Sequence, residues 1–155
     1  MIIIQDSREK IPWKFLGTFE ECTGQIVRKI DAGDYILLGH ERLITIDRKR
    51  NVSELATNLG LHRERFEREL ARMQNYAYKY ILCEFTYDEL LKFPYGCGLP
   101  KHIRKKIRVH GKYLAKKIAY YSEEYDLDFV FCDGVMAAQE KAIELFQKAL
   151  KVYEK

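Results

Sequence analysis

Near residue 51 the hydrophobic pattern of this chain changes period, from two to 3.6, and that change limits what it can fold into. Before it lie short β-branched runs: residues 2–5, 25–30, 35–38 and 42–46. After it Val52, Leu55, Ala56 and Leu59 fall on one helical face. Apolar strand candidates return at 80–85 and 129–132, each followed by a helical pattern. Strands that keep returning between amphipathic helices have only one economical solution, a sheet with helices packed on it.

The local signals fill in the order. Residues 7–24 read as a loop with one helical turn, and Asp31-Ala32-Gly33-Asp34 is turn chemistry. Gly39-His40 closes an antiparallel hairpin between 35–38 and 42–46. Ser53 is the expected N-cap of the next helix and Gly60 its end. A second helix, 62–75, has the stripe Phe66, Leu70 and Met73. Arg63/Glu67, Glu64/Arg68 and Arg65/Glu69 form i,i+4 pairs on its wet side. Pro94 stops a short helix over 87–93, residues 95–100 are loop, and helices over 111–125 and 135–153 complete an α/β sandwich.

The length of 155 residues suits one domain, 1–155, with a core that needs no disulfide staples. No apolar run approaches the ~20 residues of a membrane span. The opening Met-Ile-Ile-Ile runs straight into Gln5 and Asp6, unlike a signal peptide. Cys22, Cys83, Cys97 and Cys132 contain no C-x-x-C pair, and Cys97, His102 and His110 fit no zinc spacing. Reduced thiols in a cytoplasmic setting are expected. Trp13, after Pro12, and Tyr76, Tyr78 and Tyr80 are assigned to packing.

Charge is unevenly placed. The chain has 27 Lys and Arg against 23 Asp and Glu, yet residues 101–117 hold eight cations and no acid: Lys101, Arg104, Lys105, Lys106, Arg108, Lys112, Lys116 and Lys117. Such a segment is either a solvated face or a grip on a polyanion such as DNA.

The chemistry-bearing residues sit in the hairpin. Asp34 opens one strand and Asp47 closes the next, so pairing brings them together; Lys49, two residues on, shares the face of Asp47. Two carboxylates suit Mg²⁺ or Mn²⁺, and an adjacent ammonium can orient a water and stabilise charge at phosphorus. Two surface carboxylates beside a solvated lysine would give the same spacing.

Four segments give this site a context: QDSREK at 5–10, DAGDYIL at 31–37, ITIDRKRNVSELATNL at 44–59 and RERFERELARM at 63–73. Together they resemble the nuclease domain of the XPF-type structure-specific endonucleases, well over residues 1–85 and loosely beyond. The resemblance implies a restriction-endonuclease-like three-layer sandwich with a central mixed sheet between helices. It implies that Asp34 and Asp47 ligate metal, that Lys49 is the catalytic lysine, and that Asp6, Glu9 and Arg8 extend the site, Asp6 as a further metal ligand. It also implies the Arg48 backbone carbonyl as a further metal ligand. The Arg48 side chain alternates to the face opposite Lys49, with a structural or phosphate-side role. Arg63 and Arg65 are candidate DNA contacts with the basic segment. The sequence departs from the pattern in two places: Asp47 stands where the family usually has Glu, and the nearest acid after the Asp-Arg-Lys tripeptide is Glu54, one position late.

The implied activity is Mg²⁺- or Mn²⁺-dependent hydrolysis of DNA phosphodiesters at branched, flapped or forked structures. It needs no small-molecule cofactor and no membrane, and a homodimer is possible in such a family. Neither a helix-hairpin-helix nor a helicase domain is expected in this chain. Two alternatives stand beside this reading: a non-catalytic DNA-binding or scaffolding module of the same fold, and an RNA-directed nuclease.

Overall fold

A computed structural model describes residues 1–155. Six strands form one sheet: β1 (Ile2–Asp6), β2 (Gly24–Arg28), β3 (Tyr35–Leu37), β4 (Ile44–Lys49), β5 (Tyr78–Cys83) and β6 (Asp128–Phe131). Their spatial order is β2-β1-β3-β4-β5-β6. β1–β2, β4–β5 and β5–β6 are parallel, while β1–β3 and β3–β4 are antiparallel. The helices are α1 (Val52–Leu59), α2 (Arg63–Met73), α3 (Tyr87–Lys92), α4 (Lys101–Arg104), α5 (Gly111–Glu124) and α6 (Val135–Tyr153). The mixed sheet between helices is the expected α/β architecture.

Period-two alternation splits the buried strand residues between two cores. Ile4, Ile36, Ile81 and Cys83 face Leu55, Leu59, Phe66, Leu70, Leu114 and Ile118 of α1, α2 and α5. Ile3, Tyr35, Leu37, Ile44, Ile46 and Leu82 face Ala138, Ala142, Ile143 and Phe146 of α6, together with Trp13 and Phe15. The assignment of Trp13 to the core holds: it is 2% exposed and stacks on Tyr35, with ring centroids 5.1 Å apart. Neighbours along each strand therefore serve opposite helical layers. No helix is long and apolar enough to cross a membrane, and all four cysteines are free thiols.

Several boundaries differ from the sequence reading, each for a local reason. β4 runs to Lys49, because pairing with β5 continues through Lys49↔Cys83. The N-cap of α1 is Asn51, not Ser53; its side-chain oxygen accepts the Glu54 amide at 2.8 Å, and the serine lies two residues further on, already inside the first turn. Lys101–Arg104, to which the sequence reading assigns no element, makes one helical turn. Of the three i,i+4 pairs on α2 only Arg63–Glu67 forms, at 3.6 Å. Glu69 instead turns inward to accept the Gly33 amide at 2.7 Å.

Candidate active site

Three strand ends meet at the site, and backbone hydrogen bonds lock them there. The Asp6 amide donates to the Asp34 carbonyl, and the Asp34 amide to the Ile46 carbonyl, both at 2.8 Å. The Arg48 amide donates to Asp34 Oδ2 at 2.7 Å. The turn before Asp34 is equally fixed. Gly33 adopts φ +80°, and a Cβ there would lie 2.1 Å from Thr45 Oγ1. That hydroxyl is itself committed to the Ala32 carbonyl at 2.7 Å. Only glycine fits, because both the dihedral and the space exclude a side chain.

The resulting cleft, about 160 Å³, has no apolar lining. It is walled by Asp6, Arg8, Glu9, Asp34, Asp47, Arg48, Lys49, Arg50 and Glu54. Asp34, Asp47 and Lys49 thus come together as the hairpin spacing requires. Lys49 Nζ lies 3.0 Å from Asp47 Oδ2 and 5.3 Å from the centroid of the Phe66 ring. Burial, the largest single influence, would lower the lysine pKa; the contact with Asp47 and the charges of Glu54 and Asp34 together outweigh it and raise it. Burial and the facing charge of Asp47 push the Asp34 carboxyl well above the usual carboxylate range. Burial also lifts Glu9.

One atom is unsatisfied. Asp47 Oδ2 is buried with no hydrogen-bond partner; Lys49 gives it an ion pair without hydrogen-bond alignment. An orphaned carboxylate oxygen beside a second carboxyl that resists ionising fits a hard divalent cation, which would neutralise both. No three His, Cys, Asp or Glu side chains converge as a metal cage. The donor set therefore suits an ion that keeps most of its own waters.

Asp6, expected as a ligand, is otherwise engaged. Its Oδ2 accepts from Arg8 Nε at 2.9 Å and its Oδ1 accepts the Ile30 amide at 3.1 Å. It ties β1 to the turn leading into β3. Arg8 in turn donates to the Ile30 carbonyl at 3.0 Å. Arg48 points to the opposite face, as its alternation implies. Its Nε donates to Glu84 Oε1 at 2.6 Å, another nitrogen donates to the Ile11 carbonyl, and the guanidinium lies over the Trp13 ring. Trp13 Nε1 donates to the same Glu84 oxygen at 2.7 Å. Arg48 therefore clamps the segment carrying Arg8 and Glu9 onto the sheet.

Glu84, Arg50 and Glu69 were not found from sequence. Glu84 follows β5, far from its partners along the chain, and no local pattern marks it. Glu54 lines the cleft despite its late position. Arg63 and Arg65 do not enter this cleft. They line a separate one of about 300 Å³ at the start of α2, with His62, Glu64 and Arg68. Lys101, Arg104, Lys105, Lys106, Arg108 and Lys112 are also outside the acidic cleft.

No protein-family model matches the chain, and no curated protein matches it. Solved structures do. XPF from Aeropyrum pernix superposes with a TM-score of 0.68 over 97% of this chain, at 16% identity. XPF from Aeropyrum pernix in complex with DNA gives 0.58 over 95%, at 18% identity. The chain spans 65% of the length of each. At these identities the likeness is one of architecture, and on it the chain carries an XPF-type nuclease-like fold.

Proposed function

We propose that this chain is a divalent-cation-dependent nuclease that hydrolyses DNA phosphodiesters at branched, flapped or forked structures. The observation that carries the reading is the convergence of Asp34, Asp47 and Lys49 in one wholly polar cleft, where a buried Asp47 oxygen accepts no hydrogen bond and faces only the Lys49 ammonium. The fold shared with an XPF solved in complex with DNA supports nucleic acid as the substrate.

Asp34, Asp47 and the Arg48 carbonyl would hold Mg²⁺ or Mn²⁺, with Glu9 at the margin. Such an ion, when bound, supplies Lewis acidity and a water activated near neutral pH. The chain does the rest. Lys49 is kept charged by Asp47 and directs that charge at the phosphate that enters the cleft. The Arg48 amide holds Asp34 in one rotamer, so the carboxylates are arranged before substrate arrives. Arg8, more than half exposed and tied to Asp6, offers a guanidinium at the cleft mouth for a flanking phosphate.

The test is cleavage of flap, fork, nicked and linear DNA with Mg²⁺ or Mn²⁺, beside Asp47→Ala and a chelator control. Metal-dependent products from the wild type alone support the reading. Absence of cleavage on every substrate, or equal cleavage by Asp47→Ala, would overturn it.

A further inference from the structure

Five tyrosines expose 45% or more of their surface: Tyr87, Tyr95, Tyr113, Tyr120 and Tyr153. Tyr87 packs on Phe131 and Tyr153 on His40. The other three fall within residues 95–120, and each has a cation over its ring, Tyr120 also touching Tyr121. Arg104 lies 5.6 Å from the Tyr95 centroid. Lys117 lies between two rings, 5.8 Å from Tyr113 and 5.9 Å from Tyr120. The spacing 113, 117, 120 places these three side chains on one face of α5.

The surrounding charge is uncompensated. None of the eight cations of 101–117 forms an ion pair with a carboxylate, whereas nine ion pairs form elsewhere in the chain. The Gly111 amide donates to the Phe93 carbonyl at 2.9 Å, which closes the 94–110 loop onto the start of α5. Tyr95 and Tyr113 each lie two residues beyond that closure. The other end of the row approaches the cleft through touching rings. Tyr120 packs on Tyr121 at 5.4 Å, Tyr121 on Phe66 at 6.0 Å, and Phe66 lies under Lys49.

Lysines alone would suffice to hold a duplex, since phosphates need only positive charge. Exposed rings add nothing to phosphate binding. They do add stacking area for a base whose face is free, and a base face is free only in an unpaired strand. We propose that Tyr95, Tyr113 and Tyr120, with Arg104 and Lys117, form a stacking platform for the unpaired DNA strand of a substrate, which the adjoining cations hold by its phosphates. The inference rests on the nuclease reading and deepens it: it assigns the unpaired arm of such a substrate to this face.

The experiment is fluorescence anisotropy of the full chain with labelled oligo-dT and with a duplex of equal length, in EDTA so that nothing is cut. Tyr113→Ala/Tyr120→Ala is expected to weaken single-strand binding about tenfold or more and to leave duplex binding within about twofold. Tyr113→Phe/Tyr120→Phe keeps the rings and should bind as the wild type does. Tyr95→Ala, in a loop, should give a smaller loss in the same direction and serves if the double variant does not fold. Equal loss on single strand and duplex, no loss in either alanine variant, or a phenylalanine variant as weak as the alanine one would each overturn the platform. If the wild type binds single strands but alanine changes nothing, the platform fails and the nuclease reading stands. If the platform result is obtained but no substrate is ever cut, the nuclease reading fails and the platform stands.

Discussion

The acidic cleft and the basic 101–117 segment both concentrate charge, and they do so in opposite ways. In the cleft Asp47, Arg48 and Lys49 are consecutive residues of one strand, each at least nine-tenths buried. Each is paired or held across the sheet: Lys49 with Asp47, Arg48 with Glu84. In the basic segment the charges sit on a short loop, one helical turn and the first turns of α5, mostly exposed and without a carboxylate partner. Buried charge is expensive and persists only where backbone and partners fix it. Exposed charge has little effect on stability and is free to serve a long-range attraction. The two regions should therefore respond to mutation in different currencies, the cleft in stability and chemistry, the segment in affinity and salt dependence.

The sharpest break on the cleft side is Arg48→Met. It leaves the Glu84 carboxylate, 8% exposed, with only the Trp13 indole as donor. Losing one partner of a buried pair costs about 3–5 kcal/mol, which thermal unfolding would show as a large fall in Tm. Adding Glu84→Gln to the same chain should recover part of that loss, because the stranded charge disappears. A Tm unchanged by Arg48→Met would mean the clamp is not built as described.

Asp47→Asn preserves shape and removes one negative charge from the cleft. Single-turnover cleavage should fall about 10²–10³-fold, the effect of deleting one electrostatic contributor to a transition state. DNA affinity should hold or rise, since a carboxylate no longer faces phosphate. Cleavage near the wild-type rate would remove Asp47 from the chemistry.

A smaller effect separates two glycines of similar dihedral. Gly33→Ala meets both a positive φ and Thr45 Oγ1, whereas Gly39, at φ +85°, has nothing within 4 Å of its would-be Cβ. The left-handed backbone alone costs an alanine about 1–3 kcal/mol. Gly33→Ala should lose more Tm than Gly39→Ala, and it alone should also slow cleavage, because Asp34 is the next residue. Equal losses at the two positions would mean that the turn at 33 is not pressed against β4.

How far the sequence led differs between the regions for the same reason. Asp34, Asp47 and Lys49 were legible because strand geometry converts spacing into position: alternation decides the face, and a hairpin decides the partner. Alternation also placed Arg48 on the opposite face. What it could not show was Glu84, since β5 joins β4 in parallel through two intervening helices and nothing near residue 84 announces the pairing. The ties of Asp6 were hidden for a related cause. Nothing local to the first strand shows that the Ile30 amide and Arg8 donate to its two oxygens. In the basic segment composition alone revealed the charge, but not that Tyr113 and Tyr120 flank Lys117. The helical period does put Leu114 and Ile118 inward, and the core uses them with Tyr121; the contact of Lys117 with both rings needs the structure.

The mildest prediction concerns the segment itself. Lys105, Lys106 and Lys112 are exposed and unpaired, so Lys105→Gln/Lys106→Gln/Lys112→Gln should leave Tm and the cleft untouched. Its effect should appear only in DNA binding. Each lost phosphate contact removes about 0.9 from the slope of log K against log salt on duplex, so three contacts would flatten that slope by close to three. The same measurement separates the two jobs assigned to this face. If the tyrosines stack unpaired bases and the lysines neutralise phosphate, the glutamine variant loses salt dependence on single strand and duplex alike. The tyrosine variant loses single-strand affinity at an unchanged slope. A glutamine variant with the wild-type slope on both forms would show that the eight cations are a solvated face. The grip on DNA would then fall to the arginines at the start of α2.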